Sequence, residues 1–188
     1  TPQILPPTPS STTMSEGEAK TSTPTEVFEL LCDQKSGVRW MMMELGSKSK
    51  SLVLCGQGND FPSFKAAFDP AKVQWGAFCC HGIDERNSVE SVRNKIVQIN
   101  WVGESVKPMK RMKALQGASL VTEIISGSVA VSVEATNEEE IDAKEIATKL
   151  ADCGGAHKPT YYEFGGEGDN KMKLSLKDIG KDVAGDKV

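Results

Sequence analysis

The spacing of apolar and polar residues predicts nine helices and strands between residues 23 and 156. Thr23-Pro24-Thr25-Glu26 is typical of a capping box with proline in the first helical turn, so a helix is predicted to begin there. Farther along, apolar residues either alternate with polar ones, as in strands, or recur every three to four positions, as in helices. The predicted elements are, in order, a helix from 24, strands over 38–45 and 51–55, a helix over 61–68, strands over 73–81 and 93–102, a helix over 107–126, a strand over 129–134 and a helix from 137 to 153.

This order of elements indicates the class of fold. Five strands interleaved with four helices fit an α/β sandwich, in which a mixed five-stranded sheet lies between helices on both faces. The polar stretch at 84–92 separates two strands and is interpreted as a loop. Cys79 and Cys80 are neighbours in an apolar strand, so we expect buried, reduced thiols that point to opposite faces of the sheet.

The predicted helix over 107–126 changes character along its length. Its second half carries an apolar stripe that is expected to pack on the sheet, formed by Ala114, Gly117, Ala118, Val121, Ile124 and Ile125. Continued backwards, the same stripe reaches Lys107, Lys110 and Arg111, which are not core residues. The first half of the helix is therefore predicted to emerge from the sheet, with Met109 and Met112 on the opposite side.

Basic residues concentrate in one stretch of an acidic chain. The chain has 22 Lys and Arg against 26 Asp and Glu, a formal net charge of −4. Residues 93–113 hold only one acid, Glu104, and six basic residues: Arg93, Lys95, Lys107, Lys110, Arg111 and Lys113. Charge separation of this kind indicates a surface that meets an acidic macromolecule. The end of the strand and the start of the helix are expected to bring the basic groups together, with Trp101 interpreted as a core residue.

This basic cluster has three interpretations. It is a solvated charged face, a site for nucleic acid, or a site for an acidic protein surface. Nucleic-acid binding needs aromatic residues among the basic ones, and only Trp101 is present. The sequence pI of about 5.3 also disfavours nucleic acid.

Composition restricts the domain to the middle of the chain. Residues 1–22 are rich in Thr, Ser and Pro and are predicted to be a disordered extension, of which 1–13 precede Met14 and are interpreted as an addition to the natural chain. Residues 157–188 are rich in Gly, Lys and Asp and are predicted to be a flexible tail. One domain is expected over 23–156, a usual domain size. No apolar run approaches the roughly 20 residues of a membrane span, and no signal-peptide core is seen, so a cytosolic protein is expected.

No pattern in the sequence predicts catalysis, a metal or a cofactor. The five cysteines are odd in number and lack C-x-x-C spacing, which disfavours a disulfide framework or a zinc site. His81 and His157 are the only histidines, and neither has a second ligand at a useful spacing. Gly56-Gln57-Gly58 lacks the further features of a nucleotide-binding loop and is interpreted as a turn. We expect a protein that is not an enzyme.

Four motifs in the right order resemble the actin-depolymerising factor homology (ADF-H) family, and within it the coactosins. The strand Lys95 to Glu104 ends in Trp-Val-Gly-Glu, and a basic helix start follows it. The helix then carries Leu-Val-Thr-Glu-Ile-Ile at 120–125, and Gly-Gly-Ala at 154–156 closes the last helix. Val38-x-Trp40 also fits the first strand. The resemblance covers residues 23 to about 156.

The resemblance implies a fold and a function. It implies the cofilin-like ADF-H fold and non-catalytic binding to actin, with filaments preferred over monomers and no nucleic acid or membrane as a partner. It matches Lys95 to the strand lysine that contacts the filament and places Arg111 and Lys113 on the actin-facing helix. Together with the charge pattern, the predicted actin site is Arg93, Lys95, Lys107, Lys110, Arg111, Met112 and Lys113.

The resemblance has departures and alternatives. Coactosins usually show a Lys-Arg-Ser-Lys run before the strand, whereas this chain has Val-Arg-Asn-Lys at 92–95, and the preceding residues 84–90 carry three acids. The expected protein is a monomer in the cytoplasm, at the cytoskeleton. Two alternatives stay open: an ADF/cofilin-like factor that binds monomers and severs filaments, and an adaptor that uses the ADF-H fold to bind a partner other than actin.

Overall fold

A computed structural model describes residues 22–48, 50–86, 89–125, 127–154, 158–166 and 171–181, with Arg86 and Lys113 described by their backbone alone. The predicted N-terminal extension, apart from Ser22, lies outside the described residues. The helices are α1 (Pro24–Cys32), α2 (Phe61–Ala66), α3 (Pro108–Ile125) and α4 (Ala143–Cys153). The strands are β1 (Trp40–Leu45), β2 (Leu52–Gly58), β3 (Val73–Arg86), β4 (Val89–Val102), β5 (Val129–Ala135), β6 (Tyr161–Glu163) and β7 (Lys173–Ser175).

A mixed sheet forms the centre of the domain. Its five main strands, the number that the sequence predicts, lie in the order β2-β1-β3-β4-β5. Neighbouring strands are antiparallel except β4 and β5, which are parallel because α3 carries the chain back between them. Two short strands extend this sheet: β6 pairs with β3, and β7 pairs with β6.

Helices cover the two faces of the sheet, so there are two apolar layers. On one face, called the α3 face, α1 and α3 pack around Trp75 and Val121. On the other, called the α4 face, α2 and α4 pack around Phe78 and Trp101. Trp101 is buried, and its indole Nε1 donates to the carbonyl of Asp69 at 2.7 Å, which confirms it as a core residue.

Local signals in the sequence fix several helix starts. At α1, Thr23 accepts from the backbone N–H of Glu26 at 3.2 Å, and the Glu26 carboxylate accepts from the backbone N–H of Thr23 at 2.8 Å. This confirms the predicted capping box, which satisfies two otherwise free donors. The start predicted for the last helix at 137 is wrong. Asn137 caps a separate 3-10 turn, Glu138–Glu140, and α4 begins after a second cap, Asp142.

The stretch 84–92 is a hairpin and not the predicted loop. β3 extends to Arg86 and β4 begins at Val89, and the two strands pair without interruption from Val73↔Val102 to Arg86↔Val89. Apolar and polar residues do not alternate over 84–92 because neither face of this outer part of the hairpin packs against a deep core. The backbone ladder alone is enough to continue the pairing.

The predicted flexible tail is contradicted by the described part of residues 157–188. This C-terminal segment, defined here as residues 158–166 and 171–181, adds β6 and β7 to the sheet. It also buries four apolar side chains in the α4-face core, those of Tyr162, Phe164, Leu176 and Ile179. The domain therefore extends beyond residue 156.

Gly117 permits close packing of α3 on the sheet, and this gives a testable result. A Cβ added at Gly117 would overlap the ring of Trp75, which is itself buried. Overpacking typically costs ~1–3 kcal/mol, while alanine gains ~1 kcal/mol of helix propensity over glycine. The overlap is with a buried ring, so the cost falls at the upper end, and we expect Gly117→Ala to lower the free energy of unfolding by a net ~2 kcal/mol in denaturant titrations. Ser119→Ala, on the exposed side of the same helix, is the control, and a Gly117→Ala protein as stable as this control would contradict the packing.

Candidate functional site

Arg93 and Lys95 form the first basic surface, called the hairpin patch. In the β3–β4 ladder, Lys95 lies opposite Cys80 and Arg93 lies opposite Gly82. Directly opposed residues share a face of a sheet. Cys80 is buried in the α4-face core, so both basic residues belong to the α4 face. Arg93 is exposed and Lys95 is half-buried.

The hairpin patch lies on the part of the sheet that projects beyond β5. β5 begins opposite Ile96, so among the described residues the first part of β4 has β3 as its only strand neighbour. The loop after α1 steadies this part of β4 from the other side. Gln34 Nε2 donates to the carbonyl of Val92 at 3.2 Å, and Asn94 Nδ2 donates to the carbonyl of Cys32 at 2.6 Å. The patch is therefore carried by a paired and supported backbone.

The start of α3 forms the second surface, called the helix patch. It is defined by six exposed side chains: Lys107, Met109, Lys110, Arg111, Met112 and Leu115. The exposed fractions of Met109, Met112 and Leu115 are 87%, 75% and 84%, unusual values for large apolar side chains. They recur every three residues, so they form an apolar stripe on the outer side of the helix. Lys113 belongs to α3, but its side chain lies outside the described residues.

The basic groups of the two patches are available to a partner to different degrees. Arg111 donates from Nε to the carbonyl of Val106 at 3.2 Å, so it also closes the turn before α3. Within the described residues, no salt bridge involves Arg93, Lys95, Lys107, Lys110 or Arg111. Their charges are thus not neutralised inside the domain in that part of the chain.

The prediction that these basic groups come together is wrong. Lys95 is seven residue steps along β4 from Val102, where the chain leaves for α3. At ~3.3 Å per strand residue this separation is about 23 Å. The hairpin patch also lies on the α4 face, whereas α3 covers the other face. The single predicted surface is therefore two surfaces, at opposite ends and on opposite faces of the sheet.

Sequence reasoning placed Met112 in the site but missed Met109 and Leu115. Their signal was present in the spacing 109, 112 and 115, opposite the buried positions Val121 and Ile125. Of the stripe of α3 predicted to pack on the sheet, Gly117, Val121 and Ile125 are buried, but Ala118 is exposed.

A buried polar cluster lies where β1, β3 and β6 meet. Arg39 Nη1 is 2.7 Å from Nδ1 and 2.6 Å from Nε2 of His81, and Arg39 Nη2 donates to the carbonyl of Glu163 at 3.4 Å. The Glu163 carboxylate pairs with Lys171 at 3.0 Å. Burial, and then the neighbouring Arg39 charge, lower the pKa of His81 to about 4. His81 is therefore a neutral structural residue at neutral pH.

Cys79 and Cys80 are buried thiols on opposite faces of the sheet. Burial raises the pKa of Cys79 to about 11 and raises the pKa of Cys80 well above its usual value, so both thiols are protonated at neutral pH. Cys79 packs on the α3 face and Cys80 on the α4 face, which confirms the predicted alternation. No group of three metal-ligating side chains occurs among the described residues.

The depressed pKa of His81 predicts acid sensitivity. The unfolded chain takes up a proton near pH 6.5, whereas folded His81 does so only near pH 4. Between these values the unfolded state binds more protons, so the free energy of unfolding should fall as the pH falls from 6.5 to 4. Denaturant titrations across this range should show a shallower fall for His81→Gln than for the wild type. Parallel curves for the two proteins would contradict the burial of a neutral His81.

Comparisons with known proteins cover most of the domain. Residues 20–151 match the family model described as cofilin/tropomyosin-type actin-binding protein. The coactosin of Entamoeba histolytica is 25% identical over 131 residues, which are 69% of this chain and 86% of that protein. The drebrin-like protein of Mus musculus is 25% identical over 156 residues, 82% of this chain, but the chain spans only 32% of that longer protein.

Solved structures show the same fold. The crystal structure of coactosin from Entamoeba histolytica superposes with a TM-score of 0.58 at 22% identity, over 69% of this chain and 91% of that one. The solution structure of human coactosin-like protein gives a TM-score of 0.59 at 21% identity, over 73% and 90%. In addition, no helix in the described residues is long and apolar enough to cross a membrane.

Proposed function

The chain belongs to the cofilin/tropomyosin-type actin-binding protein family, and from this premise we propose that it binds the sides of actin filaments through the hairpin patch and the helix patch together. The resemblance to the ADF-H family, with coactosins among the similar proteins, is confirmed. The family acts by binding, and the proposed activity accordingly contains no catalytic step. The preference for filaments and the residues of the site are the proposed part.

The separation of the two patches is the observation that carries this proposal. Lys95 lies about 23 Å along β4 from Val102, where the chain leaves for α3, and the two patches belong to opposite faces of the sheet. A partner with one compact docking site engages only one of them. A filament presents the surfaces of neighbouring subunits side by side, so a rigid domain can engage both at once. Linking two weak contacts in this way raises the overall affinity without any new contact.

The chemistry of the patches fits two kinds of contact. The hairpin patch offers positive charge from Arg93 and half-buried Lys95, which form no salt bridge with any described residue, and this suits the acidic surface of actin. The helix patch combines Lys107 and Lys110 with the apolar stripe of Met109, Met112 and Leu115, the pattern of a helix that lays its apolar side into a groove. Methionine suits such a contact because its flexible side chain adapts to an irregular surface.

Co-sedimentation with filaments tests the proposal. We expect the chain to pellet with filamentous actin, to leave the amount of unsedimented actin unchanged, and to bind less at higher salt. Salt should weaken binding because the screening length shortens from ~10 Å at 0.1 M to ~3 Å at 1 M.

Two other outcomes would contradict filament-side binding. A rise in unsedimented actin, with the chain in the supernatant, would identify a monomer-binding and severing factor. A folded chain that binds neither filaments nor monomers would identify an adaptor that has kept the fold and lost actin as its partner.

A further inference from the structure

The helix patch lies on a part of α3 that is held mainly at its two ends. None of the described side chains of residues 108–116 is buried, so packing along this half of the helix does little to fix its position. At one end Gly117 packs against the ring of Trp75. At the other end Val106 is buried in the β4–α3 connection, residues 103–107. The position of the helix patch therefore depends on how this connection is held.

The β4–α3 connection is bonded to a neighbouring loop, called the proline loop and defined as residues 69–72, between α2 and β3. The backbone N–H of Gly103 donates to the carbonyl of Lys72 at 3.1 Å. The backbone N–H of Ser105 donates to the carbonyl of Pro70 at 2.9 Å. A Cβ added at Gly103 would overlap the Pro70 carbonyl, so the two segments fit together only because residue 103 has no side chain.

Two buried side chains hold the proline loop in turn. Gln74 and Trp101 lie directly opposite each other in the β3–β4 ladder, and both reach Asp69. Gln74 Oε1 accepts from the backbone N–H of Asp69 at 2.8 Å, and Trp101 Nε1 donates to the carbonyl of Asp69 at 2.7 Å. The amide nitrogen of Gln74 makes a longer contact, 3.7 Å, with Cys55 Sγ. Gln74 is only 3% exposed, and a polar group so deeply buried needs such a bond, which here fixes the loop.

We propose that Gln74 and Gly103 are positioning residues for the helix patch, which act through the proline loop and not by touching the partner. Gln74 fixes Asp69, the loop carbonyls fix the β4–α3 connection, and the connection sets the direction in which α3 begins. A helix start that is already fixed need not be ordered on binding, and such preorganisation raises affinity. The effect on filament affinity rests on the proposed function; the hold on the connection does not.

Native-state hydrogen exchange measures the hold on the β4–α3 connection without actin. Gln74→Met keeps a buried side chain of similar length but removes the oxygen that accepts from Asp69. The amides of Gly103 and Ser105 should then exchange at least about fivefold faster than in the wild type, while those of residues 121–125 should be unchanged. Unchanged exchange at the two connection amides, or an equal rise at residues 121–125, would overturn the proposal.

Cys55→Ala is the matched control for Gln74→Met. It removes the sulfur that contacts the Gln74 amide nitrogen and leaves the bond between Gln74 and Asp69 in place. The amides of Gly103 and Ser105 should exchange as in the wild type. A rise as large as that in Gln74→Met would show that the bond to Asp69 is not what holds the connection, and would also overturn the proposal.

Co-sedimentation of Gly103→Ala tests the effect on filament binding. The added Cβ displaces the connection from Pro70, so filament affinity should fall at least about fivefold. Gly37→Ala is the matched control, because a Cβ at Gly37 meets nothing within 4 Å, and it should bind like the wild type. Gln74→Met should weaken binding in the same direction, and it takes the place of Gly103→Ala if a thermal melt shows that the latter does not fold.

Combination with patch variants separates positioning from a general loss of stability. In a Met112→Ala/Leu115→Ala background the apolar stripe is already lost, so Gly103→Ala should weaken binding by less than about twofold more. In a Lys95→Ala background, which keeps the helix patch, the full effect of Gly103→Ala should remain. Equal losses in the two backgrounds, or wild-type affinity in the folded single variants, would overturn the proposal. If the wild-type chain does not bind filaments at all, the proposed function fails, and hydrogen exchange still decides whether Gln74 holds the connection.

Discussion

Phe164→Ala should lower the free energy of unfolding by about 3–5 kcal/mol, the usual cost of removing a buried phenylalanine side chain. The ring of Phe164 is fully buried, 5.2 Å from the ring of Phe61 and 6.0 Å from that of Phe78, measured between centroids. Its loss leaves a cavity between α2 and the sheet that rigid aromatic neighbours cannot fill. Small domains have only ~5–15 kcal/mol of stability, so this one change removes a large part of it.

The matched control for Phe164→Ala lies in the same segment. Lys177 is exposed, and Lys177→Ala should change the free energy of unfolding by no more than ~0.5 kcal/mol. Denaturant titration of the two variants separates an ordered segment from a flexible tail. If both variants unfold like the wild type, the segment contributes nothing to the core, and the domain ends near residue 156 as the sequence predicts.

The C-terminal segment escaped prediction for a physical reason. Tyr162, Phe164, Leu176 and Ile179 are spaced too irregularly to form either a strand or a helix pattern. Each becomes buried only because the sheet and α4 already present an apolar surface to it. That surface is built by residues far away in sequence, so composition alone indicated disorder.

Local features were predictable because their causes are local. The capping box at Thr23 depends on residues three positions apart, and the opposite faces of Cys79 and Cys80 follow from strand geometry. The buried side of α4 follows from helical spacing and is confirmed at Ala143, Ile146 and Leu150. These interactions need no information about distant parts of the chain.

The arrangement of the site depends on more than local spacing. Lys95 and Arg111 are close in sequence, so a common surface was expected. The strand between them spans about 23 Å, and the helix returns over the opposite face. The charge count identified the basic residues but does not say which face of the sheet they occupy. The register of the β3–β4 ladder does, because it places Lys95 opposite Cys80.

That placement makes Lys95 the residue on which filament binding should depend most. Its side chain is half-buried on the α4 face, and within the described part of the chain no carboxylate pairs with it. Exposed charges at the rim of an interface mainly change association rates, whereas truncating a desolvated, hydrogen-bonded charge costs ~2–5 kcal/mol. We expect Lys95→Ala to weaken filament binding at least tenfold, or about 1.4 kcal/mol. Arg111→Ala and Lys113→Ala should each do less alone and more together.

Co-sedimentation of each variant, with a thermal melt beside it, tests the role of Lys95. Lys50→Ala is the matched control, because Lys50 is an exposed lysine in the β1–β2 turn and belongs to neither patch. Lys50→Ala should bind like the wild type, and both lysine variants should keep the wild-type stability within ~0.5 kcal/mol. If Lys95→Ala binds less actin but has the wild-type melting temperature, the loss is due to a missing contact with the filament and not to unfolding. Wild-type binding by a well-folded Lys95→Ala protein would remove the hairpin patch from the interface and leave the helix patch as its principal contact.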